Sequence, residues 1–232
     1  MITIRKSQDR GYADHGWLKT FHTFSFAQYY DPRFMGFRSL RVINEDRVAV
    51  GKGFDLHPHD NMEIISYVIS GMLEHRDNMG SHEIMKAGEV QRISAGKGIL
   101  HSEYNGSANE EVHFLQIWIM PDERNVRPEY TQASFTDIDQ DSLVLIASKT
   151  ARYNSISIHQ DADVYAARLE KGSVIDHDIA DKRGVWIQMI SGEMSINGKE
   201  TLLAGDGAAI EDTGHLTLMA TRNSHFLLFD MA

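Results

Sequence analysis

The stretch Ile64-Ile65-Ser66-Tyr67-Val68-Ile69-Ser70-Gly71 returns in the second half of the chain as Val185-Trp186-Ile187-Gln188-Met189-Ile190-Ser191-Gly192. Each is a short run of apolar, β-branched and aromatic residues closed by a Ser-Gly turn, which predicts a strand rather than a helix. The match extends downstream of both turns. A polar hairpin leads to Ala87-Gly88-Glu89 in one half and to Ala204-Gly205-Asp206-Gly207 in the other. Two units of the form strand, turn, hairpin, Ala-Gly-acid turn, strand predict two copies of one β-barrel.

The rest of the chain agrees with that frame. Leu40–Ile43, Val112–Met120, Leu143–Ile146 and Phe226–Phe229 are further short apolar runs, set apart by Gly, Asn and Asp, and long helical periodicity is scarce. The expected fold class is all-β, with two antiparallel, jelly-roll-like barrels. The acidic segment 121–142 holds Pro121 and Pro128 and keeps no period. It is expected to connect the domains and to carry a short strand. The boundary falls at 134/135, giving domains 1–134 and 135–232.

Composition bounds the function. A chain of 232 residues with 42% hydrophobic content can bury a core unaided. Cysteine is absent, which excludes disulfides, thiolate metal sites and a cysteine nucleophile. A formal charge of −10 without any Lys/Arg cluster argues against direct nucleic-acid binding and against an anionic membrane surface. No apolar run is long enough to span a bilayer, and the first sixteen residues lack a signal-peptide core, so a cytoplasmic protein is expected. No apolar stretch stands out as exposed, and a monomer is expected. No P-loop, dinucleotide fingerprint or Ser-His-Asp arrangement is present.

Two short clusters carry chemistry. In Leu56-His57-Pro58-His59, an extended backbone puts His57 and His59 on one face, and Glu63 has the same parity. In Ile99-Leu100-His101-Ser102-Glu103, His101 and Glu103 share a face in the same way. Two such pairs on facing strands would set four ligands around one ion. Imidazole and carboxylate donors suit Fe(II), Ni(II), Mn(II), Cu(II) or Zn(II). A single His-x-His is common on surface strands; the second pair, beside the Gly-rich turn Ser94–Gly98, favours a metal over chance. Open coordination positions would admit substrate and oxygen.

Further residues define a resemblance. Gly51, His57, His59, Glu63 and Gly71 look like a first cupin motif, and Gly88, Gly96, His101 and Asn105 look like a second. More narrowly, the chain resembles the pirin family, in particular bacterial pirin-like proteins with quercetin 2,3-dioxygenase activity. The matching stretches are 21–26, 35–37, 40–44, 57–59 and 98–105. The resemblance covers essentially the whole chain and is strongest from Gly16 to Pro121. It implies a bicupin with one metal, in the N-terminal barrel only, and carries the ligands onto His57, His59, His101 and Glu103. Iron(II) is the metal it points to, with Ni, Mn, Cu, Co and Zn open. In the wider cupin pattern the carboxylate ligand stands at the Glu63 position; here Glu63 is left to orient a ligand or to hold hydrogen bonds of its own.

Other polar residues have plainer readings. His113 is expected in the core or at the rim, and His75 and His82 are expected to be solvated beside a polar hairpin. His22 either lines the pocket or packs among aromatics. Asn105 and Gln116 are candidate donors to the ligands. His159, His177, His215 and His225 are scattered, so the C-terminal barrel is expected to hold no metal in this manner.

The resemblance implies cleavage of a flavonol such as quercetin by O2, with release of carbon monoxide. Glu103 is the candidate base for the flavonol 3-hydroxyl, swinging between metal and proton. Metal binding is expected to weaken as pH falls through about 6 to 7, where free histidines protonate. The alternative reading is an iron-dependent redox-sensing regulator that binds a protein partner, as eukaryotic pirins do. An isomerase or a sugar-binding cupin fits the fold but finds no motif.

Overall fold

The computed structural model describes residues 1–136 and 139–232; Asp137 and Ile138, inside the expected inter-domain connection, lie outside the described residues. The molecule is built almost wholly of strands. It divides into two compact units, one of residues 11–136 and 158–160, the other of residues 1–10, 139–157 and 161–232. Each unit holds one seven-stranded and one four-stranded sheet, the bicupin arrangement expected from the repeat.

In the first unit the large sheet runs, in spatial order, Glu129–Ser134, Glu89–Ser94, Glu63–Ser70, Val112–Ile119, Leu40–Val48, Leu18–His22 and Gly11–Asp14. The small sheet is Gly53–His59, Ile99–Asn105, Met72–Asp77 and His82–Lys86. The second unit repeats the central order with Gly207–Ile210, Gly184–Ser191, Ser224–Met231 and Ala162–Leu169. The Ser-Gly turns that close the repeated strands are fixed by sterics. Gly71 has φ +78° and Gly192 φ +87°, and a Cβ there would lie 2.6 Å from the Glu111 carbonyl oxygen and 2.2 Å from that of Asn223. Neither position accommodates a side chain.

One row of the large sheet shows how the interiors of the two units differ. In the first, Gln91, Ser66, Gln116, Asn44 and His22 are register partners across five neighbouring strands. The corresponding row of the second reads Ala208, Ile187, Leu228 and Tyr165. That row belongs to one continuous apolar core. In the first unit the polar row separates two smaller clusters, one around Val68, Leu73 and Phe114, the other around Ile64, Ile93 and Ile99.

One expectation about domain limits needs correction. Residues 1–10 do not belong with the N-terminal barrel. Ile2–Arg5 pairs with Gly207–Ile210, and Ile2 and Ile4 pack on the second core. Asp206 then fixes the chain by accepting from the Ser7 N–H at 2.7 Å and from Lys6 Nζ at 3.0 Å. The strand expected in the connecting segment, Glu129–Ser134, is an edge strand of the first unit's own large sheet. Ile2–Arg5 takes the equivalent edge in the second unit, outside Gly207–Ile210. Among the described residues, no helix is long and apolar enough to cross a membrane.

Removing residues 1–6 deletes that edge strand, its ladder and the Ile2 and Ile4 contacts. We expect a loss of about 2–4 kcal/mol in the second unit's stability, from two partly buried isoleucines and the lost hydrogen bonds. Denaturant unfolding measures it; a midpoint identical to that of the full chain would show that the strand contributes nothing.

Candidate metal centre

The strands Gly53–His59 and Ile99–Asn105 lie side by side and antiparallel, with His101 opposite His57 and Ile99 opposite His59. Gly53–His59 is the edge of its sheet, where Pro58 costs no ladder hydrogen bond. The register shifts between His101 and Glu103, which places Glu103 opposite Phe54. Alternation thus brings His57, His59 and His101 to one point. Their ring centroids are 4.4–4.9 Å apart, and one ring nitrogen from each lies within 4.8 Å of the others. Nitrogens on one divalent ion at bond lengths of about 2.0–2.1 Å sit about 3–4 Å apart, so small side-chain adjustments close the set.

The tautomers suit ligation. His57 Nδ1 donates to the Asp55 carbonyl at 2.7 Å, which leaves Nε2 with its lone pair. His101 is fully buried, and neither of its ring nitrogens has a hydrogen-bond partner. An imidazole buried in that state has an unmet demand that a metal ion satisfies. Burial, together with the neighbouring His57 and His75, pulls the pKa of His101 down to about 3. Burial, with His101 and His57, pulls that of His59 down to about 4. Both rings are therefore neutral and ready to bind at physiological pH.

Glu103 is 1% exposed and points into the same barrel. Its Oε2 accepts from Gln116 at 2.7 Å, and its Oε1 accepts from Ser66 at 3.1 Å and from Gln91. The structure brings Glu103 together with His101 and His75, which form a second, fully buried group with donor atoms within 4.8 Å of one another. His101 is common to both groups. The tight cage of donors restrains the swinging motion expected of Glu103.

Several expectations change here. His75 is not solvated: it is completely buried and bound to Asp77 Oδ2 at 3.0 Å. Its alternation with buried Leu73 along Met72–Asp77 was the available signal for an inward position. His82 is exposed, as expected, and meets Glu74 at 2.7 Å. Glu63 does not share the face of His57 and His59. Asn61, at φ +45°, turns the chain into the other sheet, and Glu63 there accepts from Ser94 Oγ at 2.8 Å and meets His159 Nδ1 at 3.3 Å. His113 is a buried partner of Glu45 at 2.9 Å. Asn105 donates to the Val48 and Glu110 carbonyls and ties a loop, whereas Gln116 does reach Glu103.

A cavity of about 280 Å³ opens beside His57 and His59. Leu18, Phe26, Phe54 and Trp118 give it apolar walls, and Thr20, His22, Asn44 and Asp46 give it a polar side. His22 Nδ1 meets Asn44 Oδ1 at 2.8 Å. Burial raises the Asp46 carboxyl to about 7; the Glu103 and Glu45 charges add to this and a hydrogen bond with Thr20 opposes it. The arrangement can hold a divalent ion beside a chamber with apolar walls and a few polar groups.

Comparison with known proteins agrees. The Pirin family pattern matches residues 3–119, and that described as the Quercetinase C-terminal cupin domain matches residues 145–231. The chain is 49% identical over 231 residues to a quercetin 2,3-dioxygenase of Escherichia coli (strain K12), covering 100% of this chain and 99% of that protein. It is 38% identical to a pirin-like protein of Caulobacter vibrioides, covering 100% of both. The crystal structure of the bacterial pirin YhhW from Escherichia coli in complex with nickel(II) has 48% identity and a TM-score of 0.95. That match covers 100% of this chain and 99% of the other.

Two outcomes are expected. His101→Ala loses most of the bound metal while His177→Ala, whose ring is held by Asp230 in the second unit, keeps it; elemental analysis giving the reverse would place the centre in the wrong barrel. Because burial lowers His59 to about 4 and His101 to about 3, proton competition at these two candidate ligands is expected to begin near pH 5 and to strengthen through 4 to 3. Occupancy measured along a pH series should hold to about pH 5; half-loss already at pH 6.5 would contradict it.

Proposed function

The chain belongs to the pirin family, and we propose that its first barrel is a metal-dependent dioxygenase that cleaves a flavonol such as quercetin with O2 and releases carbon monoxide. The observation that carries this reading is the cluster of His57, His59 and His101, in which both nitrogens of the buried His101 are unpartnered, beside a mostly apolar chamber lined by His57 and His59. His57, His59, His101 and Glu103 are the proposed ligands. Fe(II) is the proposed ion; the same donors accept Ni, Mn, Cu, Co or Zn. The relative with nickel(II) supports a divalent transition metal in this fold.

When bound, the ion supplies Lewis acidity that lowers the pKa of the flavonol 3-hydroxyl. The chain supplies the rest. Leu18, Phe26, Phe54 and Trp118 pack on the flat ring system and limit water around it. His57 and His59 fix the end of the chamber at which the 3-hydroxyl sits. Glu103 is the proposed base that takes the hydroxyl proton. The donors Ser66, Gln91 and Gln116 hold its carboxylate in place. Proton uptake therefore has to loosen one of these bonds.

Protein loaded with Fe(II) and given quercetin in air should consume O2 and release carbon monoxide. Glu103→Gln keeps the shape but lacks the charge and the base, and should lower turnover by at least about a hundredfold. Full turnover by this variant with metal retained would end the assignment of the base. Loaded wild-type protein that takes up no O2 would sink the dioxygenase reading and bring forward the redox-sensing regulator.

A further inference from the structure

We propose that the buried pair His75–Asp77 positions His101 for metal binding by accepting the N–H of that ring; the proposal rests on the reading of His101 as a ligand. Met72–Asp77 is the strand next to Ile99–Asn105, with His75 directly opposite Glu103 and Asp77 directly opposite His101. Both side chains of the pair are wholly buried. Asp77 Oδ1 accepts the Met79 N–H at 2.8 Å and the Ser81 N–H at 3.0 Å, and Oδ2 meets His75 Nε2 at 3.0 Å. Burial pushes the Asp77 carboxyl up, but these hydrogen bonds outweigh it and leave the group below its ordinary value.

A carboxylate only accepts. His75 Nε2 therefore carries the proton, and in the neutral ring Nδ1 holds the lone pair. That Nδ1 is buried and has no partner, and the same is true of both nitrogens of His101. A ring nitrogen of His75 and one of His101 lie within 4.8 Å of each other, with ring centroids 5.5 Å apart. A neutral His101 offers one lone pair and one N–H. If the lone pair goes to the ion, the N–H needs an acceptor, and His75 Nδ1 is a buried acceptor in need of a donor. The chain Asp77 to His75 to His101 to ion thus accounts for all three unpartnered nitrogens at once. Tyr130 stacks on His75 at 4.4 Å and 22°, which holds the ring in this orientation. A ligand with its N–H engaged is both oriented and more basic.

The competing role is direct ligation by His75, since His75, His101 and Glu103 also form a donor group. The two roles respond differently to Asp77→Asn. The amide can donate to Nε2, which drives the His75 proton onto Nδ1 and turns donor against donor at His101. Affinity for Ni(II), measured by competition with a chelator, should fall about tenfold to a hundredfold, the range typical of lost outer partners. Nitrogen-15 histidine spectra of the Zn(II)-loaded protein should show the His75 proton on Nε2 in the wild type and on Nδ1 in the variant. His75→Gln, whose carbonyl accepts, should keep more affinity than His75→Leu. Wild-type affinity in Asp77→Asn overturns the proposal. So does a His75→Leu variant as empty of metal as His101→Ala beside an unaffected Asp77→Asn, because His75 would then be a ligand itself. Metal retention by His101→Ala would instead remove the underlying reading of the site.

Discussion

A carboxylate with 1% of its surface exposed inside a β-barrel sets the terms for the first barrel's interior. Stripping water from an anion costs several kcal/mol unless donors replace it. For Glu103 those donors are Ser66, Gln91 and Gln116, from three adjacent strands of the opposite sheet. Hydrogen bonds to a charged acceptor contribute about 1.5–3 kcal/mol each, enough together to offset such a cost. Register then dictates where the polar residues stand. Because the donors are partners in one row, they form a polar belt between the apolar clusters around Phe114 and Ile64, and buried Asp46 and Thr20 extend that polarity into the row of Phe114.

The second barrel shows what the same frame becomes without that constraint. Ile187 occupies the place of Ser66, with Ala208 and Leu228 beside it, and the two apolar layers merge into one core. Two of its histidines are engaged elsewhere: His177 by Asp230, and His215 by Asp178 and Asp176. One unit is filled for stability and the other is left polar and open. Substitution along this row accompanies the difference between the two units, while the turns at Gly71 and Gly192 remain alike.

Local pattern was a good guide to the strands and to the meeting of His57 and His59 with His101, since two-residue alternation and Ser-Gly turns act over short distances. It failed where distant parts of the chain decide. The parity that linked Glu63 to His59 is broken by the left-handed Asn61, a turn that sends the chain to the other sheet. The register shift between His101 and Glu103 lies between strands and has no local mark. His75 was misread because a hairpin that looks polar has one face turned inward, towards Tyr130 and His101. The partner of Ile2–Arg5 is a strand at the far end of the sequence, which no nearby residue announces.

That last pairing has a consequence for how the protein is made. The second unit draws its edge strand from residues 2–5 and the remainder from beyond residue 138, so along the sequence the first unit is an insertion between these two parts. During synthesis the first barrel has all its strands once Glu129–Ser134 has emerged from the ribosome. The leading strand must meanwhile wait, unpaired, until Gly207–Ile210 has been translated. Contacts of such sequence separation form late. An unpaired edge awaiting its partner is open to foreign strands. Lys6 and Arg5, flanking and ending that strand, give the waiting segment a positive charge, a feature that discourages such mispairing before the ladder closes.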